Sequence, residues 1–279
     1  MYIEFLGAAG SGKTTVANIA IEHIRQQGWN AYSRFDANRL YAERTLAGRL
    51  SKLLPQPLRK RTVDRFYADF RDREQRKVER NFHDLMDYVK RSQQARPEAA
   101  EVGRRRVLEY YDHMKRQYAV IHALKRPEDI VIFEEGFVNR VSQLHISAAE
   151  SPDPIGVKKY LDLVPKPDHL IYVKVPTDQC IRRMAQRNPV KYADPEAYNW
   201  LVRYCTNAQQ AIQLAYEYLC EKGWDVIELD NSEHSLEAAA AGIQEKMKEI
   251  LLEHSRNNGQ HKHERRFRLT GCRINDAAG

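Results

Sequence analysis

One short motif near the start of the chain constrains the fold more than any other feature. Residues 7–14 read Gly-Ala-Ala-Gly-Ser-Gly-Lys-Thr, which fits the pattern GxxxxGK[ST], and they follow directly on an apolar run at residues 2–6. Glycines permit positive φ and let backbone N–H groups surround phosphates, while a helix that begins near Lys13 points its positive end at them. The motif therefore predicts a strand, a phosphate-binding loop and a helix, in that order. We expect this chain to bind a nucleoside triphosphate.

The motif also assigns roles to its side chains. Lys13 is expected to reach the β- and γ-phosphates of the triphosphate, and Thr14 to offer its hydroxyl to Mg²⁺. The other residues of this segment that we predict to contact the nucleotide are Gly7, Ala8, Ala9, Gly10, Ser11, Gly12 and Thr15. The alternative is a turn rich in glycine and alanine that binds nothing, and the strand and helix patterns on either side disfavour it.

The composition is that of a globular protein. Of the 279 residues, 42% are hydrophobic and 30% are charged. No run of about 18 apolar residues is present, so no membrane-spanning helix is expected. The first predicted strand begins at residue 2, which leaves no room for a secretory signal, and the four cysteines have no CxxC spacing that would indicate a zinc site or a disulfide framework. We expect a cytoplasmic protein.

The net charge of +7 has two explanations, a nucleic-acid partner or a basic cleft for polyanionic small molecules. Lysines and arginines are spread through helical segments that also carry many acidic residues. No basic groove with interleaved aromatic residues is recognisable. We therefore favour a small-molecule partner over a nucleic acid, and we leave a homodimer open.

Short apolar runs with β-branched or aromatic residues alternate with helical patterns along the chain. We predict strands at about 2–6, 31–35, 129–133, 169–175 and 224–229. Strands that alternate with long helices indicate a parallel sheet covered by helices on both faces, which is a three-layer α/β fold.

The chain divides by the same patterns into one domain and a tail. Residues 1–253 are predicted to form the domain, with a helical insertion at about 40–128 between the second and third strands. Long helices are expected at about 102–124 and 195–222. From residue 254 to 279 the sequence turns polar and basic, and we predict a flexible tail there.

Ligands of open parallel sheets bind beyond the carboxyl ends of the strands, so acidic residues at those ends are candidates for chemistry. The second predicted strand runs into Asp36 and the third into Glu134 and Glu135. Phosphoryl transfer uses one carboxylate to orient or deprotonate the acceptor and another to hold the metal. We predict that Asp36 contacts or deprotonates the acceptor, and that Glu134 belongs to the Mg²⁺ shell or acts as the base.

Both assignments have structural alternatives. Asp36 would also suit the N-cap of a following helix, and Glu134 with Glu135 would also suit a solvated loop. Side chains predicted to bind the acceptor are Arg34, Asp36, Arg39, Glu135 and Arg140.

A helical segment rich in arginine follows the fourth predicted strand. Arg183 and Arg187 are four residues apart and therefore on one helix face. Paired guanidinium groups bind triphosphate oxygens and neutralise transition-state charge, so we predict that both contact ATP during transfer. The alternative is a basic surface face. Lys191, in the polar stretch 188–192, is a candidate lid residue.

These segments together resemble the thymidylate kinase-like group of nucleoside and nucleotide kinases, within the superfamily of P-loop nucleoside triphosphate hydrolases. The resemblance covers about residues 1–36, 129–140 and 165–250 and rests on the phosphate loop, residues 167–176, Arg183, Arg187 and residues 223–230. It implies the sheet order 2-3-1-4-5 and ATP with Mg²⁺ as phosphate donor. It also implies that adenine lies between the arginine-rich lid and the loop at Asn231.

The acceptor side departs from the family pattern. Thymidylate kinases carry Arg-Glu-Pro-Gly-Gly after the second strand, whereas here Arg34 is followed by Phe-Asp-Ala. After the third strand Glu134 matches the acid of the family, but Glu135 stands where an arginine is expected, and Arg140 is the cation that could replace it. We therefore expect an acceptor other than thymidylate.

Two functions follow from these observations. The first is a kinase that moves the γ-phosphate of ATP to a hydroxyl or phosphate of a small molecule. The second is a regulatory NTPase that transfers nothing and acts on a nucleic-acid or protein partner.

Overall fold

The computed structural model describes residues 1–51, 53, 55–95, 101–145, 150–232 and 235–271, without the side chains at 51, 56–63, 102, 145 and 257–271. Five parallel strands form one sheet in the order β2-β3-β1-β4-β5. The strands are β1 (Tyr2–Leu6), β2 (Ala31–Ser33), β3 (Ile130–Phe133), β4 (His169–Lys174) and β5 (Val226–Asp230). The strand order and the parallel pairing confirm the predicted fold class.

Long helices account for most of the described chain. They are α1 (Lys13–Gln26), α2 (Ala37–Arg44), α3 (Leu46–Ser51), α4 (Gln56–Gln94), α5 (Glu101–Leu124), α6 (Val141–His145), α7 (Pro154–Leu161), α8 (Thr177–Arg187), α9 (Pro189–Tyr192), α10 (Pro195–Glu221) and α11 (Leu236–Gly271). The predicted helices at 102–124 and 195–222 correspond to α5 and α10. The second strand is shorter than predicted because Arg34–Asp36 form a 3₁₀ turn.

Helices cover both faces of the sheet, and β1 shows how the sequence produces this. Side chains alternate across a strand, so Ile3 and Phe5 are buried in one core with α1 and α11. Tyr2 and Leu6 are buried in the other core, which includes residues of α5, α7 and α10. Glu4 lies on the same face as Tyr2 and Leu6, and it is fully buried there.

The predicted insertion between β2 and β3 is helical and packs on the sheet. Phe82 and Leu85 of α4 and Tyr111 and Met114 of α5 belong to the same core as the strands. Each of these side chains is less than 4% exposed. Burial of an apolar side chain contributes about 1.5–3 kcal/mol, so these residues fix both insertion helices against this face of the sheet.

At the other end of the chain, α11 continues without a break past residue 254 to Gly271. The predicted start of the tail therefore does not coincide with a helix end. Residues 272–279 of the predicted tail lie outside the described residues. Among the residues that are described, no helix is both long and apolar enough to cross a bilayer.

Gly136 is a position where the packing of β1 against the segment after β3 demands glycine. A Cβ atom at this residue would lie 1.8 Å from Oε1 of Glu4. We predict that Gly136→Ala lowers the free energy of unfolding by about 1–3 kcal/mol, because overpacking must displace a buried carboxyl group. Urea denaturation measures the change.

Gly103→Ala is the matched control. A Cβ atom at Gly103 in α5 would meet no heavy atom within 4 Å. Gly103 lies in the first turn of α5, so alanine should leave the free energy of unfolding unchanged or raise it by at most about 0.5–1 kcal/mol. Equal midpoints for Gly136→Ala and the wild type would contradict the packing described here.

Candidate active site

The loop after β1 has the backbone conformation that phosphate binding requires. Gly10 has φ +86° and Gly12 has φ +90°, a region that glycine enters without strain. A Cβ atom at Gly12 would lie 2.6 Å from the side-chain nitrogen of Asn231, and one at Gly10 would lie 2.7 Å from the carbonyl oxygen of Cys180. Glycine is therefore required here by both conformation and space.

Lys13 begins α1 and turns back over the loop. Its Nζ donates hydrogen bonds to the carbonyl oxygens of Gly7 (2.7 Å) and Ala8 (2.9 Å). Burial lowers the pKa of Lys13 from 10.5 to about 8, and the negative charge of Glu135 opposes this shift. The residue most expected to bind phosphate is thus held in a low-dielectric position, where its charge acts strongly.

Side chains from the segments that follow β3 and β5 fasten the loop. The amide of Gly7 donates to Oδ1 of Asn139 (3.0 Å), a residue in the segment after β3. On the other side, Nδ2 of Asn231, just after β5, donates to the carbonyl oxygen of Ser11 (2.7 Å). Asn231, predicted to lie near adenine, therefore also holds the loop itself.

A cleft of ≈ 380 Å³ lies beside the loop on the side of β5 and α8. Its lining residues are Gly10, Gly12, Thr15, Val16, Arg183, Gln186, Arg187, Asn231, Ser235, Leu236 and Ala239. The lining combines loop glycines, two arginines and an apolar floor. This is the position that the family resemblance implies for adenine, between the arginine-rich helix and the loop after the fifth strand.

The two arginines of α8 have different surroundings. Arg183 donates to the carbonyl oxygens of Asn231 (3.0 Å) and Gly10 (3.5 Å), so it joins α8 to the phosphate loop. Arg187 lines the same cleft, is exposed, and makes no hydrogen bond or ion pair with the described part of the chain. Arg187 is therefore the guanidinium of this pair that a triphosphate can engage without displacing a protein contact.

On the opposite side of the loop, five side chains form a charged group that we call the acceptor cluster: Arg34, Tyr110, Glu134, Glu135 and Arg140. Nε of Arg34 lies 3.2 Å from Oε1 of Glu134, and Nη2 of Arg140 lies 2.7 Å from Oε2 of Glu135. The hydroxyl of Tyr110 accepts hydrogen bonds from both arginines. Two arginines and two glutamates thus pair around one tyrosine.

Three members of the cluster are buried, since Arg34, Glu134 and Arg140 are each less than 9% exposed. The side chain of Glu135 is 37% exposed. The charges of Glu135 and Arg140 both act on the pKa of Lys13, which requires short separations. Glu135 and Arg140 therefore lie near the lysine of the loop, and the solvated-loop alternative does not describe Glu134.

Asp36 and Arg39 lie elsewhere. Oδ2 of Asp36 accepts from the amide (2.7 Å) and hydroxyl (3.0 Å) of Ser33. Its carboxylate also pairs with Nε of Arg39 (3.3 Å) and with Arg25 (3.5 Å), which is in the last turn of α1. Arg25 is roughly 18 Å along the helix from Lys13.

The capping alternative for Asp36 agrees with these contacts, although it caps the 3₁₀ turn and not α2. The partners of Asp36 are Ser33, Arg25 and Arg39, and none of them belongs to the acceptor cluster. Its predicted role at the acceptor therefore has no support from these contacts. The same holds for Arg39, which is exposed and pairs with Asp36 and Glu43.

Aromatic side chains of α10 border the acceptor cluster. The rings of Trp200 and Tyr204 stack with centroids 5.0 Å apart. Burial raises the pKa of Tyr204, and the charges of Arg140 and Glu135 also act on it. Nζ of Lys191, the predicted lid residue, lies 5.4 Å from the ring centroid of Trp200. Lys191 therefore lies against α10.

Sequence reasoning missed three residues that build this site: Glu4, Tyr110 and Asn139. Glu4 carried a signal, since an acid within an apolar strand is costly to bury unless it is paired. Tyr110 lies within the predicted helix at about 102–124, and nothing in its position in the sequence distinguishes it from the other residues of that helix. Asn139 follows the acids after β3 but is an ordinary loop residue in sequence.

Oxygen ligands suited to Mg²⁺ stand at the predicted positions. The Thr14 side chain is exposed in the first turn of α1, and Glu134 offers a carboxylate of which Oε1 is bonded to Arg34. In the described ranges, no group of three or more His, Cys, Asp or Glu is arranged to hold a metal. Mg²⁺ is usually held by one or two protein oxygens together with substrate phosphates. The residues present fit a metal that arrives with a nucleotide.

No protein-family model and no curated protein sequence matches this chain. Three solved structures of deoxyadenosine kinase from M. mycoides are similar to it. The one with the products dCMP and a flexible dCDP is 14% identical, with a TM-score of 0.41 and coverage of 89% of this chain and 100% of that chain. The one with bound dCTP has 13% identity, a TM-score of 0.41 and the same coverage. The one with bound dATP has 14% identity, a TM-score of 0.42 and coverage of 90% and 98%. At scores and identities this low, the similarity carries no argument about function.

The lowered pKa of Lys13 generates a prediction for nucleotide binding. Below pH 8 the ammonium group is charged, and it loses its proton as the pH rises through about 8. Phosphate binding needs the charged form, so affinity for ATP should fall by up to about tenfold per pH unit above pH 8. Titration with a fluorescent ATP analogue at pH 7, 8 and 9 measures this dependence.

Lys13→Met serves as the control for this titration. It should bind the analogue weakly and lose the dependence on pH in this range. Affinity that is constant from pH 7 to 9 in the wild type would show that Lys13 does not titrate there.

Proposed function

We propose that this chain is a phosphotransferase that moves the γ-phosphate of ATP to a hydroxyl or phosphate group of a small molecule. The observation that carries the proposal is the acceptor cluster beside Lys13. A phosphate loop alone supports binding or hydrolysis, whereas paired carboxylates and arginines next to the loop provide a place for a second substrate. A regulatory NTPase would not need such a cluster.

On the donor side, the proposed roles follow the surroundings of each residue. Lys13 binds the β- and γ-phosphates, and the helix N-terminus at Thr14 adds its positive end. Arg187 contacts the triphosphate from the cleft, while Arg183 holds α8 against the loop and keeps further N–H groups available to phosphate. Asn231 and Thr15 line the space proposed for the nucleoside.

On the acceptor side, Glu134 is the proposed base or orienting carboxylate. Its Oε1 is bonded to Arg34, which fixes the direction of the group. Arg140 and Glu135 hold one another beside Lys13, and together they neutralise charge near the transferred group. When bound with ATP, Mg²⁺ would be held by Thr14 and Glu134 and would neutralise phosphate charge.

The ion pairs within the acceptor cluster indicate which kind of acceptor group it can receive. Each arginine already pairs with a glutamate, so an anionic acceptor must compete with a carboxylate for its guanidinium group. A hydroxyl acceptor needs only a carboxylate oxygen of Glu134. Together with the departures from the family pattern after β2 and β3, this favours an acceptor other than thymidylate.

The test is transfer from labelled ATP with Mg²⁺ to panels of nucleosides, nucleoside monophosphates and sugars. We expect transfer by the wild type and none by Lys13→Ala. Glu134→Gln should lower kcat by about 10²–10⁴-fold, as expected for loss of a general base, with ATP affinity retained.

Asp36→Asn is the matched carboxylate control for Glu134→Gln. Because its oxygens are bonded to Ser33, Arg39 and Arg25, we expect turnover near that of the wild type. An equal loss in both variants would restore the acceptor role that the sequence suggested for Asp36. Hydrolysis without any acceptor, stimulated by RNA or DNA, would favour the regulatory NTPase instead.

A further inference from the structure

We propose that Glu4 and Asn139 are positioning residues that hold the acid-bearing segment after β3 in register with the phosphate loop. The segment, residues 134–140, carries Glu134 and Glu135 at one end and Arg140 at the other. The inference rests on the proposed phosphotransferase function. It assigns a role to the one acid of β1, which touches neither nucleotide nor acceptor in that proposal.

Glu4 is fully buried and bonded at both oxygens. Its Oε1 accepts from the backbone amide of Val138 (2.9 Å), and its Oε2 accepts from the hydroxyl of Tyr2 (3.2 Å). Val138 begins the 3₁₀ turn that ends at Arg140. The carboxyl group thus satisfies an amide at the start of the turn that carries one arginine of the acceptor cluster.

The same carboxyl group fills the space in front of Gly136. Any side chain at that residue would overlap Oε1 of Glu4. A buried polar group is costly without partners, so Glu4 is expected to keep its bond to Val138 throughout the reaction. Residues 136–138 can therefore pack against β1 in only one position.

Asn139 makes the second connection, this time to the phosphate loop itself. It is 5% exposed, and its Oδ1 accepts from the Gly7 amide (3.0 Å). The hydroxyl of Tyr160 donates to the carbonyl oxygen of Phe137 (2.5 Å) from the other side. Consecutive residues between Glu135 and Arg140 are thus bonded to three different elements. A displacement of about 1 Å in such a segment can cost 10²-fold in rate.

The protonation of Glu4 gives this arrangement a pH dependence. Burial raises the pKa of Glu4 to about 8, opposed by the bond from Val138 and by the charge of Arg140. Glu4 is therefore neutral at pH 7 and becomes charged as the pH rises through about 8. The titratable and charged groups that face it are Tyr2, Tyr111, Tyr118, Arg140 and Tyr160. A buried negative charge would attract Arg140 away from Glu135.

The experiment compares Glu4→Gln, Glu4→Ala and Asn139→Ala with the wild type, and uses Ile3→Ala as the control. Ile3 is buried in the same strand but faces the opposite core, so its loss destabilises β1 without touching the segment. Three quantities are measured: amide hydrogen exchange in peptides covering residues 134–141, affinity for ATP, and kcat and KM for transfer at saturating ATP between pH 6.5 and 9.5.

We expect faster exchange at 134–141 and about 10²-fold lower kcat in Glu4→Ala and Asn139→Ala. Neither change is expected in Ile3→Ala. Glu4→Gln retains an oxygen for the Val138 amide and cannot ionise. It should match the wild type at pH 7 and keep its rate as the pH rises through 8, where the wild type loses activity. Saturating ATP keeps Lys13 charged during these assays.

Unchanged exchange at 134–141 in Glu4→Ala and Asn139→Ala would overturn the proposal, as would an equal fall of kcat in Ile3→Ala. A Glu4→Gln profile that falls with pH like the wild type would overturn the role of Glu4. If Glu4→Ala does not fold, exchange in Asn139→Ala and the dependence of kcat on pH in Glu4→Gln still test the proposal. A wild type that transfers phosphate to no acceptor would refute the proposed function alone. The comparison of exchange at 134–141 between the wild type, Glu4→Ala and Asn139→Ala would still decide whether Glu4 and Asn139 hold the segment.

Discussion

The hydrogen bond between the Gly7 amide and the side chain of Asn139 joins the two halves of the site. Gly7 begins the phosphate loop after β1, and Asn139 belongs to the segment that follows the adjacent strand β3. A buried hydrogen bond contributes only about 0.5–1.5 kcal/mol to stability. Its geometric effect is larger, because it fixes the distance between Lys13 and the acids at the end of β3. The proposed transfer from donor to acceptor depends on that distance.

Burying the charged side chains of the acceptor cluster costs free energy, which explains why each arginine is paired with a glutamate. Buried charges lose hydration, and a buried ion pair is often no more stable than apolar residues of the same volume. The two ion pairs, Arg34 with Glu134 and Arg140 with Glu135, therefore contribute little net stability. Removing one member of a pair would nevertheless leave the other charge without its partner. Tyr110, supplied by the insertion helix α5, accepts from both arginines and links the pairs. The insertion thus completes the site as well as enlarging the core.

Much of this could be predicted from local sequence patterns. The phosphate loop, five strands and their alternation with helices were recognisable, and the family resemblance supplied the strand order. Glu134 was identified as a candidate because it follows a buried strand, and Arg140 because the family resemblance expects a cation that Glu135 cannot supply. Sequence patterns could not decide whether Glu134 or Asp36 lies at the acceptor, because both residues follow a strand. In the structure β2 ends at Ser33, and the 3₁₀ turn directs Asp36 back to Ser33 and Arg25.

The phosphate loop and the layered sheet can be predicted from local sequence, because glycine conformation, side-chain alternation and helix periodicity are set by neighbouring residues. Which charged side chains meet depends on how distant segments pack. Glu4, Tyr110 and Asn139 come from β1, from α5 and from the turn after β3, far apart in the chain. Their contacts with Val138, with the two arginines and with Gly7 arise only when the strands pair and the insertion packs. No periodicity in the sequence records such contacts, because they depend on where each strand ends.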